Sequence, residues 1–293
     1  MSMFFNVITS FDTYLIGLIM GGIYALISMG LSMQYGVAKI LNISHGEFIM
    51  IGAFITWVFV TTGIHPVLAL VICCPIILIV GFILHRTLFK RLNDVSKSPV
   101  VFESNAMLLA FGLMFILQSI GSRIWGANPQ GYTFMARAVT IGKSQYAANR
   151  LFVLGFAVVI SAAFYLFLMK TRLGKSIRAA AQDPVAAGLM GIKINTVMAI
   201  CFGIGTMLAG IAGSLLSMIL PLYTTMGMGY TVTAIIVVVL GGLGSIPGSI
   251  LGGVILGIVG TIATTIDPGL TMVVFYVIIM ALLIVRPKGL LGR

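Results

Sequence analysis

The chain has 293 residues, of which 60% are hydrophobic and only 8% charged. A soluble domain carries roughly 25% charged residues, so this composition excludes a water-soluble enzyme or binding module and points to a polytopic membrane protein. The net charge of +11 is no nucleic-acid signature, because the basic residues fall in short clusters between apolar runs, as the positive-inside rule leads one to expect.

In chain order, the first expected span is 13–35. No Lys or Arg precedes Lys39, so the basic region of a cleaved leader is missing and this span is expected to stay in the mature protein. Residues 36–52, GVAKILNISHGEFIMIG, place Asn42, Ser44, His45 and Glu47 at the mouth of the second span, 41–61. Ionisable groups in a membrane are expensive unless paired or wetted, so they point to a functional site. Helix capping is an equal reading: Asn42 or Ser44 as N-cap, with Glu47 three residues beyond Ser44 completing a capping box. A capped helix mouth can also shape a polar vestibule. A metal site is not expected, since HExxH and a second ligand cluster are both missing. Cys73, Cys74 and Cys201 lie in apolar runs without CxxC or Cys/His spacing, which argues against disulfides and zinc.

The next spans are 66–86, 104–122, 150–169, 194–220, 248–266 and 269–285, each near the ~20 apolar residues that cross the hydrocarbon. The segment 230–241 is apolar but too short to cross alone. It runs into Gly241, Gly242, Gly244, Pro247 and Gly248, and reads as a half-helix with a re-entrant turn, tolerated at membrane depth only where protein or water surrounds it. The fold class is therefore all-α, a transmembrane bundle of 8 or 9 membrane segments, with 1–293 as one domain. Small-xxx-small pairs at Gly17/Gly21, Ala209/Gly213, Gly248/Gly252 and Gly253/Gly257 predict close helix contacts. The triplets Gly142-Lys143-Ser144 and Gly174-Lys175-Ser176 lack the earlier glycine of a phosphate loop, so ATP is not expected on this chain.

Basic residues cluster in 86–97, 170–193 and the tail, which places all three in the cytoplasm with the C-terminus and leaves the N-terminus outside. The 123–149 loop then lies outside despite Arg123, Arg137, Lys143 and Arg150. The 170–193 connector, KTRLGKSIRAAAQDPVAAGLMGIK, carries Asp183 at an N-cap position, Pro184 at N1, a compact run from Val185 to Met190, and Gly191 as a stop. It predicts a short helix displayed in water, either a plain connector or a docking element. Among the acids, Glu47 alone lies near a span, so the path is expected to bind weakly. Gly22, Ser28, Ser32, Thr206 and Ser214 are its candidate lining, beside Asn42, Ser44, His45 and Glu47.

Three blocks carry a family resemblance. GLIMGGIYALISMGLSMQYGVAKILNISHGEFIMIGAF, GKSIRAAAQDPVAAGLMGIK and AGIAGSLLSMILPLYTTMGMGYTVTAIIVVVLGGLGSIPGSILGGVILGIV resemble, in the same order, the permease subunits of branched-chain amino acid ABC importers. The resemblance implies an inner-membrane permease working with a second permease, two cytoplasmic ATPases that bind ATP and magnesium, and an external binding protein. It implies that Asp183, Pro184, Ala186, Ala187, Gly188 and Leu189 form a coupling helix, with Lys175 and Arg178 at its rim. Importers of urea and short amides share the pattern. An ion-coupled secondary transporter is a further alternative, but it needs charges paired inside the membrane. An enzyme using His45 and Glu47 as acid and base is a third.

Overall fold

The structure is a computed structural model that describes residues 11–141 and 144–292. Gly142 and Lys143 of the second GKS triplet, Arg293 of the tail and the N-terminal end before residue 11 lie outside the described residues. The helices are α1 (Phe11–Ala38), α2 (His45–Thr61), α3 (Pro66–Val95), α4 (Pro99–Trp125), α5 (Ala148–Lys170), α6 (Arg172–Gln182), α7 (Pro184–Leu189), α8 (Ile194–Ser217), α9 (Met226–Gly241), α10 (Ile246–Ile266) and α11 (Leu270–Val285). Six of them are long and apolar enough to cross a membrane, namely α1, α3, α4, α5, α8 and α10; α2, α9 and α11 are shorter apolar helices. A small hairpin, β1 (Ala138–Ile141) and β2 (Ser144–Ala147), interrupts the helical chain in the 123–149 loop.

The centre is α8, buried on nearly every face and packed on α1, α2 and α3. A helix apolar all round belongs inside a bundle. The expected small-residue seams are present. Gly17 and Gly21 lie against Ile258 and Val254 of α10, Gly253 lies against Ala25, and Gly213 lies against the Ile49 backbone of α2. Such contacts let backbones approach closely where lipid supplies no hydrophobic drive. Inside α3 a π turn, His85–Phe89, widens the helix without ending it.

The basic clusters gather at one end. Lys39, Lys90 and Lys97 border a cavity there that also touches Pro184, and Lys175 and Arg178 lie close by around a second one. The C-terminal tail reaches the same end, where Leu290 and Leu291 donate their N–H groups to the Leu240 and Gly241 carbonyls. The 123–149 loop sits at the other end. It is ordered against the 217–225 segment, with Gln130 and Leu222 exchanging both backbone bonds and Tyr132 meeting the Ser217 hydroxyl.

Two helices begin in the bundle interior. His45, the first residue of α2, donates its Nε2–H to the Ile27 carbonyl at 3.0 Å. Ile27 lies eleven residues before the end of α1, so at 1.5 Å per residue α2 starts roughly 16 Å inside that end. The first turn of α9 lies beside the same point: Gly46 and Thr231 are joined through Gly46 N–H and the Thr231 hydroxyl at 2.9 Å. α9 then runs to the basic end. The short helix foreseen at 230–241 is therefore α9, begun four residues earlier, at Met226. The glycine turn after it occupies the basic end, with Gly242 at φ 102°, Gly244 beside Gly36, and Gly241 and Gly248 in mutual backbone contact. The interior breaks fall instead before α2 and before α9.

Candidate functional site

Two features stand out, one at the basic end and one at the centre. At the basic end α7 has the local structure its sequence dictates. Asp183 accepts from Val185 N–H at 2.9 Å and Ala186 N–H at 3.0 Å, and Pro184 occupies the first turn, where its missing donor costs nothing. Gly191, at φ 85°, turns the chain after Met190. Val185 is 73% exposed, Leu189 85% and Met190 84%. Val185 and Leu189 are four residues apart and so share one face of the helix. The three form an exposed apolar patch on α7 and the turn after it.

The small residues behave differently from expectation. Ala186 and Gly188 are exposed, but Ala187 is 5% exposed and faces inward. It seats α7 on its own chain. Lys175 and Arg178 stand on α6, exposed, and wall a cavity together with Lys39. Val185 and Met190, both exposed, were not singled out from the sequence.

At the centre the N-termini of α2 and α9 meet. Glu47 lies in the first turn of α2, fully buried, and neither carboxylate oxygen has a hydrogen-bond partner among the described residues. Its carboxylate lies against the first turn of α9, so close that a Cβ on Gly227 would stand 2.5 Å from Oε1 and 2.8 Å from Oε2. A side chain at Gly227 would have to displace the Glu47 carboxylate. The first turns of α2 and α9 meet at this one side chain. A buried carboxylate lacking partners is expensive, and such a site inside a membrane bundle marks a functional position.

The capping box is not formed. Ser44 is the N-cap residue of α2 but caps nothing with its side chain. Its hydroxyl donates instead to Asn42 Oδ1 at 2.6 Å, and its N–H goes to the same oxygen at 3.1 Å. Asn42 passes a hydrogen bond to Gln34 Oε1 at 3.4 Å, and Gln34 donates to the Phe202 carbonyl at 3.0 Å. That chain of amides ties the loop before α2 to α1 and α8. Gln34, Thr231 and Gly227 were missed by sequence reasoning; a lone amide within the apolar run 13–35 was the signal for Gln34.

The remaining path candidates occupy helix seams. Ser28 donates to the Tyr24 carbonyl and reaches Ser249 of α10. Thr206 donates to Gly203 and lies near the Ile77 carbonyl of α3. Ser214 bonds the Gly210 carbonyl and receives the Thr56 hydroxyl at 2.8 Å. Gly22 is half-buried against Ala157, and the Ser32 hydroxyl is buried without a partner among the described residues. Solvent reaches none of the four hydroxyl residues, and Ser28, Thr206 and Ser214 each reach a neighbouring helix.

A multi-pass helical bundle with two helices broken at its centre and a capped apolar helix displayed at one end defines the class of membrane transport subunits. Residues 13–283 match the family described as the branched-chain amino acid transport system permease component, and the chain belongs to that family. It is 31% identical over 292 residues to the high-affinity branched-chain amino acid transport system permease protein BraD of Pseudomonas aeruginosa, with 94% of each chain covered. It is 29% identical over 296 residues to the corresponding LivH of Escherichia coli K12, again covering 94% of each. The ribose import permease protein RbsC of the same organism is 29% identical over 164 residues, covering 52% of this chain and 50% of that one. No solved structure matches the chain.

Proposed function

We propose that this chain is the inner-membrane permease subunit of an ATP-driven importer of branched-chain amino acids. Relatives named for that transport, aligned along 94% of both chains, support the substrate class; the relative named for ribose aligns over only half. The observation that carries the reading is α7, whose apolar face is exposed at the end where the basic residues gather. By the positive-inside rule that end, with the C-terminus and the 170–193 connector, is cytoplasmic. α7 then docks on one of two ATPase subunits, which bind the ATP and magnesium. A second permease completes the path, and an external binding protein delivers the substrate.

Broken helices at a bundle centre are where transporters place their substrate sites. Glu47 beneath the first turn of α9 is the polar point of this path. Closure of the ATPases pushes on α7, the push reaches α8 through the 190–193 turn, and α8 moves α2, on which it packs and whose first residues hold the start of α9. Such coupling requires packing with two discrete arrangements.

The test is uptake of radiolabelled leucine into proteoliposomes holding the chain with its partner subunits. Uptake is expected to require ATP and the binding protein. Uptake by this chain alone on an ion gradient would instead favour a secondary transporter, and uptake of urea or acetamide in preference to leucine would move the substrate class.

A further inference from the structure

We propose that the cavity at the basic end is a binding site for the phosphate headgroup of an anionic membrane lipid. The cavity has a volume of about 850 Å³ and lies between α6, the end of α5 and the turn that opens α10. Lys39, Lys175 and Arg178 border it, and none of its lining residues is acidic. Glu103 lies near Lys39 across the adjoining cavity, but Lys175 and Arg178 have no acidic residue in the lining they share, and like charges on one space repel each other unless an anion enters. Ser245, the N-cap residue of the 21-residue α10, also lines the cavity. The positive end of that helix therefore adds to the same field.

Lys39 is held there against its backbone preference. Its φ is 54°, one of two positive values among the described non-glycine residues. A left-handed lysine is uncommon, and observed strain of this kind points toward function. The conformation puts Lys39 at the very end of α1, with its ammonium 5.4 Å from the Tyr35 ring.

The walls choose between a lipid and a free anion. Leu168 and Met169, in the last turn of α5, form one side, and Leu243 and Ile246 form another. These are the ends of membrane helices, so the cavity lies at headgroup depth and is apolar where glycerol and acyl chains begin. A free phosphate needs the cations but gains nothing from that apolar wall. Basic pockets between membrane helices on the cytoplasmic side recognise anionic headgroups by this combination.

The experiment uses the full chain purified from native membranes as its complex. Bound phospholipid is measured by mass spectrometry after detergent washing, and the melting temperature is read with added phosphatidylglycerol, phosphatidylcholine or inorganic phosphate. The wild type is expected to retain anionic lipid and to be stabilised by phosphatidylglycerol alone. The Lys175→Glu/Arg178→Glu variant is expected to lose at least tenfold of the retained lipid. Arg86→Glu/Arg91→Glu, outside the cavity, is expected to keep its lipid. Lys175→Gln/Arg178→Gln gives the same comparison without charge reversal should the first variant fail to fold. Equal lipid retention in the cavity variants overturns the proposal. So does equal loss in the Arg86/Arg91 variant, or stabilisation by phosphate alone that matches phosphatidylglycerol. Lipid-independent loss of ATPase association in the cavity variants would assign these cations to the partner subunit and also overturn it.

Discussion

The sharpest structural prediction concerns Gly46, where α2 and α9 touch. A Cβ at this position would stand 2.7 Å from the Gly227 carbonyl carbon and nearer still to its oxygen. Ordinary contact starts at 3.4 Å, and the obstacle is backbone, which no rotamer change relieves. Gly46→Ala therefore pushes the two helix ends apart. Overpacking of this kind costs about 1–3 kcal/mol. The separation also stretches the 2.9 Å bond from Gly46 N–H to Thr231, adding about 1 kcal/mol. A total of about 2–4 kcal/mol lowers the melting temperature by roughly 5–10 °C for a chain of this size. Gly112→Ala on α4 is the control: nothing lies within 4 Å of its new Cβ. That change should be neutral or stabilising by about 0.5–1 kcal/mol, because glycine weakens a helix interior. Melting curves of the detergent-purified protein, followed by uptake assays, measure both. A Gly46→Ala protein that melts within about 2 °C of wild type would refute the close helix crossing, since the predicted effect is several times larger.

Further predictions follow from the same geometry. Ala187→Trp should destabilise the protein, because Ala187 faces inward. Gly188→Trp should fold normally and uncouple the ATPase, because its Cβ meets only Ile194 at 3.8 Å; a pull-down paired with melting curves separates the two, and identical behaviour would refute the assigned orientation of α7. Glu47→Gln keeps the shape of the side chain but removes the ionisable group buried between the first turns of α2 and α9. Expression should hold while leucine uptake falls at least tenfold, and undiminished uptake would remove Glu47 from the path. Gly242→Leu, at φ 102° and packed on the tail at Gly292, should reduce the yield of folded protein; a wild-type yield would show that the turn tolerates rearrangement.

Much of the fold was legible in residue order because a membrane bundle writes its spans as apolar runs. The Asp183-Pro184 start of α7 was legible too, since capping is a local interaction between neighbours in sequence. The depth at which α2 and α9 begin was not. Both depend on contacts between distant residues, His45 with Ile27 and Gly46 with Thr231. The capping box failed for a related reason. Ser44 and Glu47 have the correct spacing, but Asn42 takes the Ser44 hydroxyl first, and tertiary packing carries Glu47 to α9. Ser28, Thr206 and Ser214 were candidate lining as small residues of a weakly binding path. They instead return their protons to carbonyls three or four residues back, a local bond that any membrane helix permits. The inward turn of Ala187 is likewise a matter of how α7 lies on its neighbours.

The central claim is that α7 transmits force from an ATP-hydrolysing partner. Replacing Leu189, which is 85% exposed, with a photoreactive amino acid in native membranes tests this most directly. Irradiation is predicted to link position 189 to the cytoplasmic ATPase subunit, with a yield that changes when ATP is bound. Linkage to lipid alone, or to a protein on the outer side of the membrane, would contradict the account.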